Sequence, residues 1–331
     1  GNTSVKIKEL DLFGETEELL YVKGSGWDLA NIETGGFAPV KMDVLLRMAD
    51  LEQLSDSEMV RAQRSAMTNP DAPTPSVEAI LHAIIPYKYV DHTHADAVVT
   101  ITNTPDGEDR ISQLYGKQVL VIPYVMPGFI LAKKIFEMTQ NMDWSTCEGL
   151  ILLNHGVFTF DDDARACYEK MIGIVSKAEE YLKKECGVAS AVSSSPKENL
   201  IELASIRRAV SEYKGTPMLA KLDNDANSTG FSNLPDVASI ATRGPPTPDH
   251  VIRTKKNPVI IKDNAENDIA NFKTEYCAYF ERNTNGKLTC LDPAPRWAVW
   301  PQHGTLSFGA SIKETGIISD IKNHTIRAIQ L

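Results

Sequence analysis

Positive charge is in short supply in this chain. Against 34 Lys and Arg stand 44 Asp and Glu, a net charge of -10, so the cationic footprint that a phosphate backbone demands is missing and nucleic acid is not an expected partner. No run of about 18 apolar residues occurs, so no membrane partner is expected either. The opening GNTSVKIKEL has neither the charged nor the apolar region of a secretion signal. Cysteine is sparse as well. Cys147, Cys167, Cys186, Cys277 and Cys290 are odd in number, scattered and free of C-x-x-C spacing. That pattern indicates neither a disulfide framework nor a thiolate zinc site, and a reducing cytoplasm is the expected setting.

What is present is the composition of an ordinary globular protein, 42% hydrophobic and 24% charged over 331 residues. At about 100 to 200 residues per domain, two domains are expected. Gly rather than Met stands first, which suggests that the numbering begins inside a domain. Val5–Ile7 and Leu19–Val22 read as short strands, with Gly24-Ser25-Gly26 as a loop after the second. Residues 41–49, KMDVLLRMA, carry apolar residues at helical spacing. The segment TPSVEAILHAIIP predicts a helix that starts near Thr74 and Pro75 and buries Val77, Ile80, Leu81, Ile84 and Ile85, with Glu78 and His82 four apart on one face. YVD is a short strand leading into His92 and His94, and AVVTI after it is strand or helix. LILL, Asn154-His155-Gly156 and VFTF read as strand, turn, strand, and residues 163–184 as a long amphipathic helix.

Small and polar residues at 185–199, and again in LDNDANSTGFSNLP at 222–235, have the composition of linkers. The resulting division is a first domain at 1–184, a linker and connecting helix at 185–235, and a C-terminal domain at 236–331. Beyond the linker the earlier pattern recurs as RWAVW, Pro301-Gln302-His303-Gly304 and TLSF, followed by a helical tail to Ile329. An offset of 148 carries His155, Gly156 and Phe160 onto His303, Gly304 and Phe308. The match is short, so a duplicated second domain and a chance agreement both stay open. Because this half has no H-x-H, it is expected to bind no metal. Its basic run, Arg253, Lys255 and Lys256, reads either as a solvated strand end or as a group facing a substrate phosphate.

In a strand, residues i and i+2 project to one face, so the imidazoles of DHTH, His92 and His94, can reach one ion together. A third imidazole, His155, stands in a tight turn after an apolar strand with Gly156 beside it for close approach. Three such rings with an open position describe a catalytic zinc-type site. Glu78 reads as a solvated helix residue or, near such a metal, as a fourth ligand and proton carrier. His82 reads as a satisfied histidine packed beside the site. Gly24, Ser25, Gly26 and Ser76 read as ordinary turns and caps, or as donors to a phosphate.

SVEAILH, DHTH and LLNHGVF, in this order and at these separations, resemble the class II aldolase/adducin family. The resemblance implies Glu78 as the catalytic glutamate and His92, His94 and His155 as ligands of a divalent metal, zinc first among them. GNTS at the start is similar to the family's phosphate loop, which makes Asn2 and Thr3 substrate-binding residues. KGSGWDL resembles a second loop, although Trp27 and Asp28 replace its usual small residues. The resemblance covers residues 1–184, while residues 243–331 look like the middle region of bacterial proteins that join a rhamnulose-phosphate-type aldolase to a short-chain dehydrogenase. It implies an α/β/α sandwich around a mostly antiparallel sheet, a homo-oligomer (dimer or tetramer), and reversible retro-aldol cleavage of a ketose 1-phosphate to dihydroxyacetone phosphate and an aldehyde. In relatives the second acid is a tyrosine from a neighbouring subunit, and Tyr115 stands at about that distance after His94. Phosphopentose 4-epimerases and non-catalytic adducin-like scaffolds are the alternatives within the same family.

Overall fold

A computed structural model describes residues 1–186, 197, 199–262, 264–286 and 288–331. Most of the linker-like stretch at 185–199 lies outside the described residues. The chain divides into two compact units, Gly1–Glu185 and Cys186–Leu331.

The first unit runs β1 (Asn2–Leu10), β2 (Thr16–Lys23), β3 (Phe37–Lys41), α1 (Met42–Asp50), α2 (Asp56–Ser65), α3 (Ala79–Ile84), β4 (Tyr89–Thr93), α4 (Asp96–Thr102), α5 (Gly107–Tyr115), β5 (Val119–Ile122), α6 (Phe129–Thr139), β6 (Gly149–Leu152), β7 (Gly156–Asp161) and α7 (Ala164–Glu185). Its seven-stranded sheet has the order β3-β2-β1-β4-β7-β6-β5, antiparallel except for the β5–β6 pair. Alternation along the strands divides the core in two. On one face Leu150, Leu152, Phe158 and Phe160 pack with Leu45 of α1, Ile80 of α3 and Ile135 of α6. On the other, Ile151 and Val157 pack with Val98 of α4, Ile111 of α5 and Ile174 of α7. The result is a helix–sheet–helix sandwich.

One open local reading is resolved and one expectation changes. AVVTI is helix, α4, because Val98, Val99 and Ile101 are all buried and the segment docks on α7. Helix α3 starts at Ala79 rather than near Thr74, since Ser25 N–H bonds to Thr74 C=O and Ser76 N–H to Lys23 C=O, which holds residues 74–76 extended against the end of β2. Val77 is therefore exposed, at 43%.

The second unit runs α8 (Leu200–Lys214), β8 (Leu219–Asp223), α9 (Ala226–Ser232), α10 (Val237–Ile240), α11 (Val251–Thr254), β9 (Val259–Ile260), α12 (Ala265–Asn283), β10 (Trp297–Trp300), β11 (Gly304–Gly309) and α13 (Ile312–Gln330). α8 stands where the connecting helix is expected, whereas residues 222–235, expected as linker, are folded structure. β8 pairs with β11, Asp225 caps α9, and Phe231 is fully buried. The polar composition of this stretch belongs to a helix cap and a turn.

The second sheet, β8-β11-β10-β9, repeats four strands of the first, β4-β7-β6-β5, with the same directions: antiparallel, antiparallel, parallel. Register repeats too. Gly149↔Thr159 becomes Trp297↔Ser307, and Val90↔Phe160 becomes Ala220↔Phe308. The helix layers follow: α8 and α12 cover one face, as α3 and α6 do, and α9, α10 and α13 cover the other, as α4, α5 and α7 do. Both turns before the HG pair hold a non-glycine residue at positive φ, Asn154 at 55° and Gln302 at 69°. The second unit is a smaller, degenerate copy of the first.

Candidate active site

Strand pairing assembles the site. β1 lies beside β4 with Asn2 opposite His92 and Ser4 opposite Val90, and directly opposed residues share a face. Asn2, Ser4 and His92 therefore point toward the α3 layer, where Glu78 and His82 wait at the start of the helix. His92 stacks on Phe158 at 4.0 Å between centroids, and its Nδ1 donates to the Val157 carbonyl at 2.9 Å. That bond fixes the tautomer and aims Nε2 inward. Just past the end of β4, His94 turns back until its Nε2 is 2.8 Å from that of His92. His155 enters from the β6–β7 turn. Asn154 tolerates the left-handed conformation there, and its side chain ties the turn to α4 by donating to the Thr102 carbonyl at 3.3 Å and to Asn103 Oδ1 at 2.9 Å.

The three imidazoles offer ligand atoms that lie within 4.8 Å of one another and can hold one metal ion. Among the described residues no other such group occurs. Glu78, 5% exposed, closes the group: Oε1 is 3.2 Å from His155 Nε2 and Oε2 is 3.5 Å from His92 Nε2. Both ring nitrogens of His155 and Oε1 of Glu78 are buried without a hydrogen-bond partner. Orphaned buried polar atoms are costly, and a cation bound by the imidazoles and the carboxylate would relieve this one, so the residues present fit a divalent metal. Burial pushes His92 down to about 3 and His94 well below its ordinary value. Both rings are thereby kept neutral, the form in which an imidazole ligates a metal. Burial works against the charge of Glu78, yet the surrounding imidazoles, His92 first, hold its carboxyl well below the usual carboxylate range.

Behind the carboxylate lies a hydrogen-bonded chain. Asn2 Nδ2 donates to Glu78 Oε2 at 2.7 Å and to Ser76 Oγ at 2.9 Å. Asn2 Oδ1 accepts from His82 Nε2 at 2.5 Å, and His82 Nδ1 accepts from Ser4 Oγ at 2.7 Å. Each member forces the orientation of the next: His82 holds the Asn2 amide so that its N–H, not its carbonyl, meets Glu78. His82 is fully buried, and desolvation pushes it down to about 3. Sequence reading left His82 as packing and missed Ser4. Their period-2 and four-residue spacings relative to Asn2 and Glu78 were the available signal.

Other expected site residues stand elsewhere. Thr3 alternates to the opposite face, where its hydroxyl donates to Asp91 Oδ1 at 2.5 Å, so it is not beside Asn2 in the site. In the glycine loop, the N–H groups of Gly24 and Ser25 are taken by the carbonyls of Gly36 and Thr74, each at 2.8 Å, and neither can serve an anion. Gly26, at φ +90°, forms the exposed tip of that turn. Tyr115 is 4% exposed in the core between α5 and α7, donating its hydroxyl to the Ile174 carbonyl at 2.6 Å. Burial raises its pKa further, so it is a packing residue and not the second acid.

In the second unit, registers that put His155 onto His303 put Leu222 and Asn224 at the places of His92 and His94. The same count back from the strand puts Arg208 at that of Glu78. His303 lies flat on Trp300 at 3.8 Å, its Nδ1 donating to the Pro301 carbonyl.

Fold and site together define a sandwich protein with a potential metal centre of three imidazoles and one carboxylate. The chain belongs to the class II aldolase/adducin family: the description "Class II Aldolase and Adducin N-terminal domain" matches residues 1–182, and "Aldolase class II, second domain" matches residues 197–331. A Bacillus subtilis (strain 168) protein named uncharacterized oxidoreductase YuxG is 32% identical over 333 residues, covering 94% of this chain and 48% of that protein. The chain thus spans about half the length of this relative. Among solved structures, the N-terminal class II aldolase domain of a conserved protein from Thermoplasma acidophilum is 42% identical with a TM-score of 0.50, over 55% of this chain and 83% of that one. A sugar-phosphate aldolase from Thermotoga maritima is 15% identical with a TM-score of 0.40, over 56% and 86%. Among the described residues no helix is long and apolar enough to cross a membrane.

Proposed function

We propose that the first unit is a metal-dependent aldolase that cleaves a ketose 1-phosphate, of the rhamnulose or fuculose type, to dihydroxyacetone phosphate and an aldehyde. The observation that carries this reading is the buried Glu78 carboxylate, one oxygen held by Asn2 and the other without a hydrogen bond, facing His155 among three convergent imidazoles. His92, His94 and His155 would hold the ion, and by ligand type zinc suits them better than magnesium or calcium. When bound, a divalent ion supplies a Lewis acid for the carbonyl oxygen and the negative charge that develops there. In the cleavage the hydroxyl on the departing carbon loses its proton and becomes the aldehyde, and the bonding pair stays on the carbonyl fragment as an enediolate. The group at the aldehyde oxygen takes the hydroxyl proton, and Glu78 relays a proton from solvent to the enediolate carbon of the carbonyl fragment. Asn2 and Ser76 keep the carboxylate oriented for this transfer, which makes them positioning residues for the base. The acid that serves the aldehyde oxygen is not Tyr115, and we read it as coming from a neighbouring copy in a homo-oligomer.

The test is turnover of ketose 1-phosphates by the metal-loaded protein, read as released dihydroxyacetone phosphate. Glu78→Gln should keep its metal while cleavage falls by about 10² to 10⁴, the usual contribution of a general acid–base group. Activity within a few-fold of the parent would remove Glu78 from the reaction. A product epimeric at the hydroxyl-bearing carbon, with no net cleavage, would make the protein an epimerase. A chain that binds no metal and turns nothing over would be a scaffold.

A further inference from the structure

Lys255, in the basic run whose plainer reading was a solvated strand end, is 5% exposed and stands at φ 60°, ψ −175°. A non-glycine residue in that region is strained and persists only when its surroundings hold it there. The duplication shows what the fold ordinarily puts at this point. β5 and β6 pair Leu120 with Leu150, and β9 and β10 pair Val259 with Ala298. Four residues before Leu120 stands Gly116, at φ 56°, and four before Val259 stands Lys255. The second unit has thus placed a lysine where the first uses a glycine, without changing the backbone to suit it.

The Lys255 side chain reaches the wall of a cavity of about 460 Å³ between residues 255–258 and α12. Its ammonium lies 3.8 Å above the centre of the Tyr276 ring and donates to the Asp292 carbonyl. Positive charge there is in excess. The one carboxylate within its reach, Asp292, is already gripped by the two terminal guanidinium nitrogens of Arg296 at 2.6 and 2.9 Å and by Lys214 at 2.9 Å, leaving Lys255 Nζ 4.0 Å from Oδ1. Lys256, whose ammonium sits 5.1 Å over the Tyr279 ring, and Arg282 add two cations to the same cavity. Glu275 is the acidic residue lining it. Among the described residues neither Lys256 nor Arg282 has a carboxylate partner. In a chain of net charge -10, a cavity with this surplus, walled by Tyr276, Tyr279 and Phe272, has the composition of a site for an anion with a carbon body.

We propose that this cavity is a second ligand site, separate from the metal centre, and that it takes a small organic phosphate. The phosphate would meet Lys255, Lys256 and Arg282, and the carbon skeleton would lie against the tyrosine rings. Two negative charges match the cationic surplus better than the single charge of a carboxylate. The inference stands on the second unit alone and does not depend on the reaction of the first.

Calorimetric titration of the full chain in EDTA, on a His155→Ala background that disables the metal centre, tests it with glycerol 3-phosphate, inorganic phosphate, lactate and glycerol as probes. The expected result is saturable binding of glycerol 3-phosphate, at least tenfold weaker binding of lactate, and none of glycerol. The double variant Lys256→Gln, Arg282→Gln changes exposed side chains and should leave the melting temperature in place while weakening binding by about tenfold or more, the loss expected for charge-assisted bonds. Lys255→Gly relieves the backbone at the strained position and should abolish binding in a protein that still folds. No binding of glycerol 3-phosphate at about 10 mM, weaker than about 3 kcal/mol of binding free energy, equal affinity for lactate, or binding undiminished in the double variant would each overturn the proposal.

Discussion

Replacing Gly156 with alanine isolates what holds the metal centre together. A Cβ at this position would stand 2.3 Å from the Thr93 carbonyl oxygen and 3.0 Å from both His92 Cε1 and His94 Cδ2. Carbon–oxygen contacts settle at about 3.3 to 3.6 Å, so β4 and β7 must part locally by about 1 Å. Two of the three proposed ligands ride on the strand that moves. Metal–nitrogen distances tolerate about 0.2 Å of error. We therefore expect Gly156→Ala to weaken zinc affinity by about 100-fold or more, at or beyond the upper end of what orienting groups contribute, and to lower stability by about 1 to 3 kcal/mol, the usual range for overpacking. The degenerate copy supplies the control. At Gly304 the same methyl would meet the Asp223 carbonyl oxygen at 2.2 Å, with φ at +123°, so Gly304→Ala should destabilise at least as much and leave zinc affinity unchanged. Competition with a chromogenic chelator, beside thermal unfolding of both variants, reads the two effects separately. Folded Gly156→Ala that holds zinc within threefold of the parent would refute the reasoning.

The remaining predictions concern the groups behind the site and the second core. His82→Ala should lower kcat with little change in KM or zinc content, because it frees the Asn2 amide to turn its carbonyl toward Glu78; a changed KM with kcat intact would show that His82 only packs. For the metal-free protein, His82 is held near 3 in the folded state against an ordinary value of 6.5. Its neutral form supports folding fully above pH 6.5, and that support is lost as pH falls from 6.5 toward 3, by up to a few kcal/mol. Denaturant midpoints across that window should fall in the parent and fall less in His82→Phe. In the second unit, fully buried Lys322 is held by Asp223 and Thr305, with Ser319 and Lys221 also on Asp223. Asp223→Ala should cost about 3 to 5 kcal/mol by stranding that charge, whereas Lys322→Met should be close to neutral; equal losses in urea unfolding would contradict this.

By itself the amino-acid sequence determined the residues whose roles rest on short separations. His92 and His94 are two apart on a strand, Glu78 and His82 four apart at a helix start, and the strand–turn–strand around His155 is local, so periodicity alone exposes them. The 148-residue offset of the HG turns was legible for the same reason, though too short to establish a duplication. Tertiary structure decided everything that depends on which strand lies beside which. Only the β1–β4 register brings Asn2 and Ser4 to His92's face and sends Thr3 to the opposite one, since a shift of one residue reverses every side chain. Only the carbonyls of Gly36 and Thr74, brought in by the fold, use up the Gly24 and Ser25 N–H groups that a glycine-rich loop advertises. Tyr115 was placed by its distance along the chain, but helix packing put its hydroxyl on the Ile174 carbonyl. The polar residues of 222–235 concealed the end of β8 and the buried helix α9, because partners as distant as β11 complete them. Separation along the chain fixes which groups can share an element; the pairing of distant elements, which carries no local signature, fixes which of those groups meet.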